Sequence, residues 1–333
     1  MCDDVRKTAG AIVIASWVSV GLPALAQNSA VGTGHAYPTK YVRIITGAAG
    51  NMHDIVARQL GQRLSGLWGQ AVVIENRPGA GNTIATGLAA RAAPDGYTLA
   101  ISDRTALAVA PSAFKSLSYD VARDLAPITL IARAPLMIVA HPSIPTTKLR
   151  EFVEFAKQRP GMLNYAGAGP ATVSHIAGEL FKQFTGVDAI LVQYKGSPAA
   201  LMAVVTGEVS MGFVMIPVAQ PHVSSGKLRA FAVTSSKRFS GLPEIPTSAE
   251  AGLPGFETDF WLGMLAPART PEKLIGKLNH DVVSNLRAPD VQASLLAQGA
   301  ELAAGAPEEF AAFIKSETEK WAHVIKAGNI QLQ

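Results

Sequence analysis

Tyr41-Val42-Arg43-Ile44-Ile45-Thr46-Gly47-Ala48-Ala49-Gly50-Asn51-Met52-His53-Asp54-Ile55-Val56 carries three signals in sixteen residues. An apolar run to Thr46 reads as a buried strand. Gly47 to Asn51 breaks it. From His53 the apolar residues Ile55, Val56, Leu60, Leu64 and Leu67 recur at helical spacing, with Asp54 in the first turn, where the helix dipole favours an anion. Strand, glycine turn and helix in that order form the repeating unit of an α/β protein.

Outward from this stretch the alternation continues. A strand at Ala71 to Glu75 is followed by a glycine-rich turn at Arg77 to Gly81 and a helix running to Ala93. Pro94-Asp95-Gly96 then turns the chain into a strand at Tyr97 to Ile101. Further strands are predicted near Ile128 to Ile131, Leu136 to Ala140, Leu163 to Tyr165, Ala189 to Gln193, Val209 to Phe213 and Leu228 to Thr234. Helices at Lys148 to Gln158, Thr172 to Phe184, Pro198 to Thr206 and Val218 to Ser224 separate them. Such regularity predicts parallel α/β layers. Beyond residue 259 the character changes to one strand, Phe260 to Leu265, and three helices. The last begins at Pro307 and presents Phe310, Phe313, Ile314, Trp321 and Ile325 on one face. A terminal segment returning to cover an earlier surface predicts two lobes, the first discontinuous: residues 37–134 with 259–333, and 135–258.

The 333 residues are 48% hydrophobic and 16% charged, the composition of a folded chain long enough for two lobes at about 150 residues each. Residues 9 to 26 hold no charge and follow Arg6 and Lys7. Pro23 closes the apolar run before the small-x-small triplet Ala24-Leu25-Ala26. This is the pattern of an export signal, with cleavage expected before Gln27 and a linker over residues 27–36; the alternative is an uncleaved N-terminal anchor. The run falls short of the roughly 20 residues a membrane span needs. Cys2, the only cysteine, leaves with the signal, so a disulfide and a thiol nucleophile are excluded from the exported chain. Residues 1–26 carry two basic and two acidic side chains, and the net charge of +4 is unchanged without them. A field so weak, with no run of Lys and Arg, argues against nucleic-acid binding.

Two glycine-rich strand-to-helix turns bear on function: the quoted one, and Tyr165-Ala166-Gly167-Ala168-Gly169-Pro170-Ala171-Thr172 with Ser174 and His175 behind it. Each brings unpaired N–H groups of a helix start within reach of an anion. Facing one cleft, they would grip the two ends of a dicarboxylate; taken singly, either is equally an ordinary turn. Neither completes G-x-G-x-x-G, and Gly226-Lys227 and Gly276-Lys277, each followed by Leu, do not complete a phosphate loop. No nucleophile elbow and no zinc-ligand spacing among the seven histidines supports catalysis. The expectation is no enzyme, no metal and no cofactor, with an exported hydrolase built on a dispersed Ser/His/Asp set as the alternative.

Motifs spread along the chain sharpen this. They are Ile74-Glu75-Asn76-Arg77-Pro78-Gly79-Ala80-Gly81, Ala93-Pro94-Asp95-Gly96-Tyr97-Thr98-Leu99, Leu163-Asn164-Tyr165-Ala166 with His175 and Glu179-Leu180-Phe181, and Tyr194-Lys195-Gly196-Ser197. Gly226-Lys227-Leu228-Arg229-Ala230 and Glu250-Ala251-Gly252-Leu253-Pro254-Gly255 follow. In this order they resemble the Bug family, the periplasmic substrate-binding components of tripartite tricarboxylate transporters, from about Tyr37 to the C-terminus. The resemblance implies a type II-like periplasmic binding fold of two α/β lobes. A small carboxylate, di- or tricarboxylate or aromatic, would be closed between them and presented to membrane transporter subunits. It further implies a periplasmic location; a monomer without membrane insertion is expected. A solute sensor for signalling is the alternative use of the same fold.

By the same resemblance Ala49, Gly50, Asn51, His53 and Asp54 lie in the first-lobe ligand loop, and Gly167, Ala168, Gly169 and His175 in the second. Where the family turn has paired glycines and then Ser or Thr before the Asp, this chain has Gly50-Asn51 and His53. Asp54 has a second possible role as a cap for its own helix. Lys195 either complements a carboxylate or stands free in a loop, and Trp261 either walls the cleft or fills core.

Overall fold

The computed structural model describes residues 37–330. The predicted export signal and linker lie outside them. In chain order the elements are β1 (Val42–Thr46), α1 (Met52–Trp68), β2 (Val72–Asn76), α2 (Thr83–Ala90) and β3 (Thr98–Asp103). After a π-helical turn at Thr105–Val109 come α3 (Ala110–Ala113), α4 (Val121–Asp124) and β4 (Leu125–Ala140). Next are α5 (Leu149–Lys157), β5 (Leu163–Gly167), α6 (Val173–Thr185), β6 (Ala189–Gln193), α7 (Ser197–Val205), β7 (Met211–Met215), α8 (Ile216–Ser224) and β8 (Arg229–Val233). The chain ends with β9 (Asp259–Pro267), α9 (Glu272–Leu286), α10 (Pro289–Ala297), β10 (Glu301–Leu302) and α11 (Pro307–Ala327).

Local chemistry accounts for the opening unit. Val42, Ile44 and Ile45 are buried, and β1 pairs in parallel with β2 and β3. Helix α1 turns Val56, Leu60 and Leu64 into the core and stops at Gly69, whose left-handed backbone lets its N–H reach the Ser65 carbonyl. Leu67, placed on the same face from sequence, is 57% exposed because the helix ends before that face needs it.

Two expectations are corrected. The separate strands at Ile128 to Ile131 and Leu136 to Ala140 are one sixteen-residue strand, β4. It runs through Pro127, beside a register shift against β9, and Pro135, the last residue of the β9 ladder, so neither missing N–H leaves a gap in regular pairing. The layers are also mixed rather than parallel. β1, β2 and β3 pair in parallel, as do β5 with β6 and β7, but β9 runs antiparallel to β3 and β4, and β4 antiparallel to β7 and β8. Helix α2 stops at Ala90 rather than Ala93, and the apolar stretch after Asp103, assigned to no element above, forms the π-helical turn and α3.

The long strand organises the molecule. From Leu125 to Pro135 it pairs with β9 beside β3, β1 and β2; from Leu136 to Ala140 it pairs with β7 and β8, which lead to β5 and β6. Each side has its own core. Ile44, Leu60, Leu99, Leu262 and Leu278 meet in one. In the other Phe152 packs 5.1 Å from Phe231, and Phe181 5.6 Å from Phe213 and 5.7 Å from Phe256, separations at which aromatic pairs attract. Helix α11 lays Phe310, Ile314, Trp321 and Ile325 onto Trp261 and the π-helical turn, and touches α6 through Gln183 Nε2, which donates to the Val324 carbonyl.

Candidate functional site

Between the two lobes lies a cavity of about 560 Å³, within the range of small-molecule sites. One lobe contributes Ala80, Gly81, Thr105 and Phe114. The other contributes the end of β5, the loop to α6, the starts of α6 and α7, and β7 into α8. No Asp, Glu, Lys, Arg or His stands among its lining residues.

Its polar character comes from helix ends. No side chain caps α6, and its first internal bond runs from Ile176 N–H to the Thr172 carbonyl, so the N–H groups of Val173, Ser174 and His175 lack intrahelical partners. Helix α7 is likewise uncapped. Pro198 has no N–H to satisfy, the first internal bond is Ala200 N–H to Gly196 O, and the N–H groups of Ser197 and Ala199 are left over. Val173, Ser174, Ser197 and Ala200 line the cavity, as do Met215 and Val218 at the uncapped start of α8, so three positive dipole ends open into it from one lobe.

The loop ahead of the α6 start has its own N–H groups bonded to nearby side chains. Ala168 N–H donates to Ser174 Oγ at 3.0 Å, Gly169 N–H to Gln193 Oε1 at 3.0 Å and Ala171 N–H to His175 Nδ1 at 3.0 Å. Side chains following the loop, on α6 and β6, take the bonds that an anion would otherwise have. Gly167 is pressed between its neighbours, where an added Cβ would stand 2.7 Å from Leu191 and 2.8 Å from Gln193. Because His175 Nδ1 accepts, the ring is neutral with its proton on Nε2. Burial favours that form and lowers its pKa against the pull of Glu179.

The first-lobe turn is bonded in part within itself, while the N–H groups of Met52 and His53 at the start of α1 lack intrahelical partners. Asn51 Oδ1 caps the N–H of Asp54 at 3.1 Å, and Asp54 Oδ2 accepts from Gly50 N–H at 2.9 Å and from Arg58 Nε at 3.0 Å. Asp54 Oδ1 accepts from Asn76 Nδ2 at 2.9 Å. Burial pushes the Asp54 carboxyl up, but these bonds outweigh it and hold the group below the usual carboxylate range. His53 is buried, its Nε2 2.6 Å from Asp103 Oδ2 and its ring edge-on to Phe260. Asp103 Oδ1 in turn accepts from the N–H groups of Thr105 and Ala106, fixing the turn that carries Thr105 to the cavity.

Of the residues expected from sequence, Ala168 lines the cavity, with Gly167, Gly169 and His175 in its supporting loop. Ala49, Gly50, Asn51, His53, Asp54 and Lys195 are outside the lining set, Lys195 exposed before α7. Trp261 is core, 1% exposed, its Nε1 donating to Glu317 Oε2 at 2.9 Å. Thr105, Phe114 and the wall of Leu201, Met215 and Val218 were missed. Ala80, Gly81 and Ser197 stood inside quoted motifs without being assigned to ligand.

Two α/β lobes joined through the long strand β4, with a cavity between them and unpaired helix ends at its wall, define a two-lobed binding protein of the periplasmic receptor type. Among the described residues no helix is long and apolar enough to cross a membrane. The chain belongs to the tripartite tricarboxylate transporter receptor family, whose model matches residues 56–330. It is 34% identical over 299 residues to protein BugT of Bordetella pertussis, covering 89% of this chain and 92% of that one. Among solved structures it resembles the R. palustris protein Rpa4515 with adipate, at 34% identity and TM-score 0.73, covering 89% and 99% of the two chains. It also resembles MatC from Rhodopseudomonas palustris with bound malate, at 33% identity and TM-score 0.70, covering 87% and 100%.

Proposed function

We propose that this protein is an extracytoplasmic receptor that captures a small organic carboxylate between its lobes and presents it, as a monomer in the periplasm, to the membrane subunits of a tripartite tricarboxylate-type transporter. The observation that carries the reading is the pair of uncapped starts of α6 and α7 opening into one cavity. Their N–H groups suit a carboxylate, and relatives with adipate and malate support that ligand class. The lobes are assigned as residues 37–134 with 259–333, and 135–258.

In this reading the loop of Gly167, Ala168 and Gly169, held by Ser174, Gln193 and His175, sets the position of the α6 start. The turn of Ala49, Gly50 and Asn51, held by Asp54 and braced by His53, borders the opposite lobe. Lys195 adds a positive charge near α7. Closure follows because a ligand touching both Ser197 and Thr105 binds the closed state better than the open one. The chain performs no catalysis.

Calorimetric titration of the purified chain with a panel of carboxylates tests the proposal. Binding at micromolar concentration is expected, and Ser197→Asp, which sets a carboxylate beside the unpaired N–H groups, is expected to weaken it at least tenfold. Unchanged affinity in that variant, or no binding below millimolar by any acid, sinks the assignment.

A further inference from the structure

Where β3 ends, Asp103, Arg104 and Thr105 make contacts in three directions, toward α1, toward the boundary between the lobes and toward the cavity. Resting on the receptor reading above, we infer that His53 and Thr258, both buried and neither in the cavity lining, are positioning residues that set where Thr105 meets the ligand.

Thr105 supplies the only hydroxyl among the four first-lobe residues that line the cavity. It is packed against Gly81, where an added Cβ would stand 2.7 Å from the Thr105 Cγ2. Its backbone is fixed from Asp103, from Arg104 and, one residue on, from Tyr119, whose hydroxyl donates to the Ala106 carbonyl at 2.7 Å.

Asp103 is 4% exposed and has both oxygens engaged. Oδ1 accepts from the Thr105 and Ala106 N–H groups at 2.7 and 3.1 Å, while Oδ2 stands 2.6 Å from His53 Nε2. A buried carboxylate needs donors on both oxygens, so without His53 the group turns and its hold on the Thr105 N–H loosens. Arg104 is fully buried, and its Nη1 donates to Thr258 Oγ1 at 3.1 Å. Thr258 is itself tied to the second lobe: its N–H donates to the Thr234 carbonyl, and its own carbonyl accepts from Thr234 Oγ1 at 2.6 Å. The bond from Arg104 to Thr258 therefore crosses the assigned lobe boundary one residue from Thr105. It registers the first-lobe ligand contact against the lobe that carries the starts of α6, α7 and α8.

Titration calorimetry of the purified chain with adipate and malate, on single and paired variants, tests this. Thr105→Val is expected to weaken the tighter acid about fivefold, the scale of one net hydrogen bond. His53→Leu and Thr258→Val are expected to lose a similar factor, and to lose nothing further when combined with Thr105→Val, because they act through its hydroxyl. His53→Gln, which keeps a donor for Asp103, and Thr258→Ser, which keeps the acceptor for Arg104, are expected to stay within about twofold of the wild type. Thr258→Val exchanges side chains of one shape, so it decides the matter should His53→Leu fail to fold. Full affinity in any of the three single variants, or losses that add in the paired ones, overturns the inference and leaves the receptor reading standing. Wild-type silence toward every carboxylate overturns that reading and the inference with it.

Discussion

At the scale of single residues, His175 shows how a titratable group can hold a loop beside a cavity. Its neutral Nδ1 accepts from Ala171 N–H, and Gln193 Nε2 lies 3.3 Å from the same atom. Protonation would set a donor against donors. Since burial lowers the folded-state pKa below the ordinary 6.5, the folded state binds fewer protons than the unfolded one near that pH. Stability from this residue is therefore complete above about pH 6.5 and declines as pH falls through the lowered folded-state pKa. Thermal unfolding measured from pH 7.5 to 5 should show a falling Tm that is flatter in His175→Asn, and an equal slope in both would refute the role. The ring's place on the second-lobe loop was readable from sequence. Its partner Gln193, eighteen residues away on another strand, was not, because pairing across a sheet leaves no local signature.

Among elements, close approach decides more than propensity. Gly178 on α6 stands where a Cβ would lie 2.0 Å from the Tyr165 ring, which is buried and fixed by its hydroxyl bonding Glu179 Oε1. Gly263 on β9 faces Phe310 of α11 at 2.2 Å and the Thr129 carbonyl at 2.9 Å. Gly178→Ala and Gly263→Ala should each cost about 1–3 kcal/mol or more by overpacking, read as a lower denaturant midpoint with unchanged slope. By contrast Gly276→Ala on α9, where a Cβ meets nothing within 4 Å, should be neutral or stabilising. Most strands and helices were legible within two or three residues, since β1, β5, β6 and α11 follow plain apolar periodicity. The exceptions are instructive. β4 hid its continuity behind Pro135, whose missing N–H matters only where regular pairing demands it. The π-helical turn after Arg104 is nearly all small and apolar, so no face stood out, and Thr105 and Phe114 were lost with it. The uncapped start of α6 was anticipated, but that of α7 was passed over because its N–H groups carry no side-chain mark.

Across the whole molecule, a buried polar network sits where the chain crosses between lobes. Arg104 is fully buried, its Nη1 donating to Thr258 Oγ1 and to the Asp259 carbonyl, its guanidinium 4.6 Å over the Trp321 ring. Burial brings its pKa down to about 10, countered by Glu317, Asp103 and Asp259. Glu317 accepts from the indoles of Trp261 and Trp321, both at 2.9 Å, and Arg133 Nη2 pairs with Asp259 at 2.8 Å. Removing one charge takes a favourable field from the other, although Glu317 keeps Lys320 Nζ at 3.3 Å, so Arg104→Met and Glu317→Met should each destabilise by about 1–3 kcal/mol and the double variant by less than their sum; additive losses in a double-mutant cycle would exclude the coupling. Beside this network β4 and β9 run as two hydrogen-bonded plies, with register shifts at Pro127/Thr129 and Leu130/Ala132. The β9 ladder ends at Pro135, while β4 continues to Ala140 in the second sheet, so of the two plies a single strand is the splint that carries both lobes.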